Sequence, residues 1–123
     1  MILVDTSVWV DHLRRHDAVL AALLERGEIL GHAFITGELA CGSLGQRSRV
    51  LVLLAALPQA CLAFNAEILS FIERHGLMGA GIGYLDAHLL ASTTLTPDAR
   101  LWTRDRRLAA AAGRLGLRAA PGD

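Results

Sequence analysis

The chain has 123 residues, 53% of them hydrophobic, with a mean hydropathy of +0.40, which is typical of one globular domain and excludes a disordered chain. Twelve basic and twelve acidic residues give a net charge of zero, which disfavours a protein that coats nucleic acid through its overall charge. We therefore predict a single domain over residues 1–123.

From the N-terminus, short apolar runs alternate with segments whose apolar residues recur at helical spacing. They predict a strand over 2–4, helices over 8–15 and 18–26, a strand over 28–33, a helix that carries Glu38, a helix over 48–57 and a strand over 60–64. The second half predicts a helix over 65–75, a glycine-rich loop over 76–83, a helix over 84–94, a strand over 100–103, a helix over 105–113 and a short strand over 117–119. This alternation indicates an α/β fold whose mostly parallel sheet is covered by helices on both faces.

The two cysteines, Cys41 and Cys61, lack the spacing of a zinc site, and we expect both to be buried free thiols in a reducing compartment. The N-terminus lacks the basic and long apolar regions of a signal peptide. The longest apolar stretch, residues 50–57, is far shorter than a membrane span and is expected to be a core helix. The expected location is the cytoplasm, without membrane association.

Four acids follow or open predicted elements at one edge of the sheet. Asp5 follows the first strand, Asp105 follows the strand over 100–103, and Glu38 and Asp86 are expected in the first turns of their helices. In open α/β sheets, ligands bind outside the carboxyl ends of the strands. Converging carboxylates repel one another unless a cation joins them, and an all-oxygen ligand set suits Mg²⁺ or Mn²⁺. Such a site can activate water against a phosphodiester.

Each acid also has a local structural interpretation. Asp5 can cap the helix that follows it, and Glu38 and Asp105 can interact with the dipoles of their helices. Asp86 lies between Leu85 and Ala87 in a mostly apolar helix, so we expect it to be a buried acid that needs a partner. The local structural interpretation therefore competes with the metal-site interpretation most strongly at Asp105 and least at Asp86.

The segments around the four acids carry a family resemblance. They are Ile2-Leu3-Val4-Asp5-Thr6-Ser7-Val8-Trp9, Ile35-Thr36-Gly37-Glu38-Leu39, Tyr84-Leu85-Asp86-Ala87-His88-Leu89-Leu90-Ala91 and Leu101-Trp102-Thr103-Arg104-Asp105. The chain resembles the PIN-domain nucleases in these motifs, in the order of the motifs and in chain length. It resembles most closely the VapC toxins of bacterial toxin–antitoxin pairs. The opening segment is the most specific of the four motifs.

The resemblance implies a three-layer α/β/α fold and an endoribonuclease that depends on Mg²⁺ or Mn²⁺. The implied catalytic and metal-binding acids are Asp5, Glu38, Asp86 and Asp105. The hydroxyl groups of Thr6 or Ser7 and of Thr103 would support them, by orienting Asp5 or a water molecule. The implied substrate is RNA, such as transfer or ribosomal RNA, and the implied partners are a cognate antitoxin and a second copy of the chain.

Two other functions are compatible with an acid at the end of the first strand. A phosphatase of the haloacid-dehalogenase type also uses such an Asp above Mg²⁺, but it needs a second Asp two positions later, where this chain has Ser7. A catalytically silent module could use the acids to bind a partner's arginines. All twelve basic residues are arginine, and six of them lie within residues 100–118, where they are candidate contacts for phosphate or for an antitoxin.

Overall fold

The computed structural model describes residues 1–122, which contain a three-stranded sheet flanked by helices. The strands are β1 (Ile2–Val4), β2 (Ile29–Leu30) and β3 (Arg100–Trp102). The helices are α1 (Thr6–Arg14), α2 (Ala18–Glu25), α3 (Ala33–Ala40), α4 (Arg47–Ala56), α5 (Asn65–His75), α6 (Tyr84–Leu95) and α7 (Arg106–Arg114). The architecture confirms the predicted three-layer α/β/α class.

The sheet brings the carboxyl ends of its strands to one edge. Its order is β2-β1-β3, and both pairings of the central strand are parallel, with Ile2 opposite Ile29 and Val4 opposite Trp102. A central strand covered on both faces needs consecutive apolar residues, and Leu3 and Val4 of β1 are accordingly apolar and fully buried. Asp5 follows at the edge where all three strands end.

Three predicted strands are shorter than expected or absent. β2 is confined to two residues because α3 begins at Ala33. Residues 60–64 do not form a strand: the Ala60 N–H donates to the Gly31 carbonyl at 2.8 Å, and the next N–H, that of Cys61, donates to Thr96 Oγ1 at 2.9 Å. At the C-terminal end, Leu101 and Arg118 form an isolated parallel bridge instead of a third ladder.

The apolar stretch over 50–57 is not a core helix, and the cysteines are not buried. Within the described chain, Leu54 is the only fully buried residue of α4, while Val52 is 69% exposed. Cys41 and Cys61 are free, as expected, but both are exposed. Among residues 1–122, no helix is both long enough and apolar enough to cross a membrane.

The most buried helix is α6, which packs against α5 and β3. Its residues from Ala87 to Thr93 are all buried, so this helix meets protein on every side. Trp9 and Trp102 also contribute to the core, since both side chains are buried. Because the buried segment of α6 begins directly after Asp86, core packing fixes the position of that acid.

Candidate active site

Asp5 is held by two hydroxyl groups at the carboxyl end of β1. The residue is 7% exposed, and its Oδ2 accepts hydrogen bonds from Ser7 Oγ and Thr103 Oγ1, each at 2.7 Å. Its N–H donates to the Trp102 carbonyl at 2.9 Å, which joins it to the end of β3. Although Asp5 occupies the N-cap position of α1, its side chain makes no capping hydrogen bond. The local interpretation of Asp5 as a helix cap is therefore wrong.

Glu38 reaches the same edge from α3. It lies in the second half of that helix, so the expected position in the first turn is wrong. Thr6 Oγ1 donates to Glu38 Oε1 at 2.9 Å, which ties α3 to the first residue of α1. The two hydroxyl-bearing residues after Asp5 thus serve different acids, Thr6 binding Glu38 and Ser7 binding Asp5.

Asp86 is partly buried at the start of α6, where its Oδ2 accepts the Gly83 N–H at 3.3 Å. Burial raises the pKa of this carboxyl group, and the hydrogen bond from Gly83 opposes that rise. The negative charges of Asp5, Asp105 and Glu38 raise the pKa of Asp86 further. Asp86 therefore lies close enough to the other three predicted acids for their charges to affect it, and we call the four together the acid patch.

Asp105 is an exposed acid that caps α7. Its Oδ1 accepts the N–H groups of Arg107 and Leu108, both at 2.9 Å, and its own N–H donates to Thr103 Oγ1 at 3.0 Å. The local interpretation of Asp105 as a partner of its helix terminus is therefore correct for one of its oxygens. Thr103 connects the two acids, because its hydroxyl group contacts Asp5 as well.

The acids of the patch share one pattern of hydrogen bonding. Within residues 1–122, each carboxylate uses one oxygen in the hydrogen bonds described above, and its second oxygen has no protein partner. In the same part of the chain, no three His, Cys, Asp or Glu side chains lie close enough together to form a ready ligand set for a metal ion. The acid patch thus offers four free oxygens from separate segments, which are not yet gathered around one point.

Arg104 is a residue of this region that the sequence singled out only as one of many arginines. Its guanidinium group binds Asp11 Oδ2 at 2.8 Å and Asp17 Oδ2 at 2.7 Å, and it lies 5.5 Å from the centre of the Trp102 ring. Its N–H donates to Ser7 Oγ at 3.1 Å. Its position between Thr103 and Asp105 was the available signal, but its partners, 93 and 87 residues away, were not predictable.

Comparison with known proteins assigns the chain to a protein family. The model of the PIN domain family matches residues 2–114, which is most of the chain. The chain therefore belongs to the PIN domain family. This confirms the resemblance stated from the four motifs.

Two relatives and one solved structure show where in the family the chain lies. It is 50% identical over 117 residues to the protein named Ribonuclease VapC32 in two strains of Mycobacterium tuberculosis, an alignment that covers 95% of this chain and 94% of the relative. The chain is also similar to the solved structure described as Crystal Structure of FitAcB from Neisseria gonorrhoeae, with a TM-score of 0.60 and 23% identity over 92% of this chain and 94% of that one. At that identity, the structural likeness supports the fold alone.

Proposed function

We propose that the chain is a divalent-metal-dependent endoribonuclease that acts as the toxin of a toxin–antitoxin pair and cuts structured RNA such as transfer or ribosomal RNA. The observation that carries this proposal is the acid patch, in which Asp5, Glu38, Asp86 and Asp105 each leave one oxygen without a partner among residues 1–122. The relatives named Ribonuclease VapC32 support the choice of RNA as the substrate. The all-oxygen donor set fits Mg²⁺ or Mn²⁺.

In this proposal the four acids are the metal-binding and catalytic residues, and nearby hydroxyl groups set their orientation. A bound divalent ion would supply activation of water and of the scissile phosphate. Ser7 and Thr103 hold Oδ2 of Asp5 and so leave Oδ1 as its ligand atom. Thr6 does the same for Glu38 by holding Oε1. Fixing one oxygen of a carboxylate in this way limits the rotation of the other and reduces the entropy lost on binding.

The mutual repulsion within the patch explains why a cation is needed. Burial and, to a smaller extent, three neighbouring negative charges raise the pKa of Asp86, so ionisation of this acid is less favourable without a counterion. A divalent ion removes this repulsion, and the free oxygens can move towards it because Glu38 and Asp105 are exposed. The same repulsion would act on an approaching phosphodiester, which adds a second reason for a bound cation.

The test is cleavage of total RNA by the purified chain, with the ends mapped after a short incubation. We expect cleavage with Mg²⁺ or Mn²⁺, none with EDTA, and none from the Asp5→Asn or Asp86→Asn variants. Asp98→Asn is a matched control, because Asp98 precedes β3 and thus lies at the opposite edge of the sheet. Asn also tolerates the positive φ of 58° found there. Undiminished cleavage in EDTA would refute the metal dependence.

A phosphatase is less compatible with the residues around Asp5. At the position where that chemistry needs an acid, Ser7 instead donates a hydrogen bond to Asp5 Oδ2. A serine hydroxyl group cannot act as the general acid of such a reaction at neutral pH. Hydrolysis of a phosphate monoester at a rate above that of RNA cleavage, lost in Asp5→Asn, would favour the phosphatase.

We also propose that the chain binds a cognate antitoxin and forms a homodimer. Large apolar side chains are exposed on the outer helices, among them Phe64 at 79% and Val52 at 69%. Exposed apolar groups of this size are costly in a chain with a net charge of zero, which lacks charge repulsion between copies. Sedimentation of the purified chain tests the dimer, and a monomer at all concentrations would refute it. Co-purification of a small partner from the native host tests the antitoxin.

A further inference from the structure

A groove lined by arginines lies between the loop over residues 76–83 and helix α7. Its volume is about 440 Å³, and its lining includes Arg106, Arg107, Arg114 and Met78 but no acidic residue. We call it the arginine groove. A groove of this size can hold several atoms of a polymer backbone while remaining open at its ends.

Within residues 1–122, the guanidinium groups of the groove arginines form no ion pair. Among residues 1–122, ion pairs are formed only by Arg26 and Arg104, so Arg106, Arg107 and Arg114 keep uncompensated charge. All three are exposed. In a chain whose net charge is zero, these three arginines concentrate positive charge beside the negatively charged acid patch.

Both walls of the arginine groove lead to the acid patch. Helix α7 begins directly after Asp105, whose Oδ1 accepts the Arg107 N–H at 2.9 Å. The loop that forms the other wall ends at Gly83, whose N–H donates to Asp86 at 3.3 Å. A strand of nucleic acid placed with one phosphate at the acids can therefore continue between these walls.

The Arg107 side chain lies directly on the loop, against Gly81. A Cβ atom on Gly81 would lie 2.6 Å from Arg107 Cδ and 2.9 Å from Nη1. Gly81 also has a positive φ of 78°, which favours glycine. The absent side chain thus leaves the space that the arginine occupies along the groove.

We propose that the arginine groove binds the backbone phosphates of a single-stranded segment of the structured RNA, on one side of the cleavage point, an inference that rests on the proposed function. The acids repel RNA, so the affinity must come from cations beside them, and the arginine fork matches phosphate oxygens. From Arg106 to Arg114 the helix rises about 12 Å, the length of roughly three to four stacked nucleotides. Contacts to phosphates give affinity without sequence preference.

The test measures binding separately from cleavage, in the Asp5→Asn background, with a labelled single-stranded oligoribonucleotide and fluorescence anisotropy over a salt series. We expect replacement of all three groove arginines by Gln to raise Kd at least about tenfold and to reduce the slope of log K against log salt by about two. Arg107→Lys should keep most of the affinity, because the charge remains. Gly81→Ala should weaken binding less than Arg107→Gln, because the flexible end of the arginine can move away from the added Cβ and keep its charge.

Arg49→Gln is the matched control, since Arg49 is an exposed arginine on α4 that lies in a different groove. If the triple variant binds RNA like this control while the unmodified chain cleaves the same RNA, the groove inference is overturned and the proposed function stands. If the triple variant binds RNA normally but loses binding to polyglutamate, the groove is a protein site and the inference is overturned. If the unmodified chain neither binds nor cleaves RNA, the proposed function is refuted, and the groove inference, which rests on it, is refuted with it.

Discussion

Replacing Arg104 by Gln removes a cation that joins the segment after β3 to the first two helices. Arg104 pairs with Asp11 and Asp17, and its guanidinium group stacks 5.5 Å from the ring centre of Trp102. Exposed ion pairs contribute about 0.2–1 kcal/mol each, and a partly exposed cation–π contact about 0.5–1 kcal/mol. We expect Arg104→Gln to lower the free energy of unfolding by about 2 kcal/mol and Tm by about 8 °C.

Double-mutant cycles can divide this loss among the contacts of Arg104. Asp17→Asn removes the charge of Asp17 but keeps an oxygen for the Leu20 N–H, which the aspartate now caps at 2.9 Å. Urea unfolding should give a coupling energy of about 0.5–1 kcal/mol between Arg104 and Asp17, and less between Arg104 and the more exposed Asp11. Arg104→Lys should restore about half of the loss, because an ammonium group cannot bridge both acids as the planar fork does.

The dependence of this loss on pH gives a further check. The pKa of Asp17 is lowered, mainly by the hydrogen bond from Leu20 and further by Arg104. A lowered carboxyl pKa contributes stability that is present above the unfolded value of 3.8 and is lost as the pH falls through the folded value. The difference in the free energy of unfolding between the unmodified chain and Arg104→Gln should therefore become smaller at acidic pH. A coupling energy of zero for Arg104 with both Asp11 and Asp17, together with a stability difference that does not change at acidic pH, would refute the ion-pair account. Packing on Trp102 would then explain the loss of stability.

Other substitutions test the support of the site and the titration of a buried ring. Thr103→Val should reduce cleavage about ten- to a hundredfold, and Thr103→Ser should restore it, since the hydroxyl group orients Asp5; equal rates for the two variants would contradict this role. Asp105→Asn should keep the α7 cap whereas Asp105→Ala should lose about 1 kcal/mol of stability, as measured in urea. Burial lowers the pKa of His32 to about 4, so the unfolded chain binds a proton at this residue before the folded chain does as the pH falls from 6.5 to 4. After allowance for screening by solvent, the free energy of unfolding should fall by about 2 kcal/mol over this range. His32→Asn, which keeps an acceptor for the Phe34 N–H, should flatten that dependence, and an unchanged slope would contradict it.

The order of the elements was predictable from the sequence because hydrophobic periodicity and turn residues report local structure. The predicted strand over 60–64 was wrong because an extended apolar segment can serve either as a strand or as a connection. Here Gln59 forms one bridge to Gly31 just before the segment, and the Cys61 N–H then donates to Thr96 at the C-cap of α6, so contacts with distant residues decide the outcome. The same reason explains α4, whose apolar residues are typical of a core helix although the short helix buries only one of its sides.

For the site, the sequence predicted four acids at one edge of the sheet, and the family resemblance implied that nearby hydroxyl groups support them. Asp5 and Asp105 follow parallel strands, so topology alone brings them to one edge. No local pattern reports the contact between Asp5 and Thr103, which lie 98 residues apart, and only the family resemblance implied a supporting role for the Thr103 hydroxyl group. The position of Glu38 was misjudged because α3 begins several residues earlier than expected, at Ala33, with the His32 side chain as its cap.

The local and functional interpretations of the acids are compatible, because a carboxylate has two oxygens. At Asp105 one oxygen caps α7, and at Asp86 one oxygen binds the N–H at the start of α6, while the second oxygen of each is free among the described residues. A cap therefore uses only part of what the side chain can accept. An Asp→Asn change keeps one carbonyl oxygen for the helix and removes the charge that a cation needs. Loss of cleavage without loss of stability in Asp86→Asn would thus assign the charge to the site and the hydrogen bond to the fold.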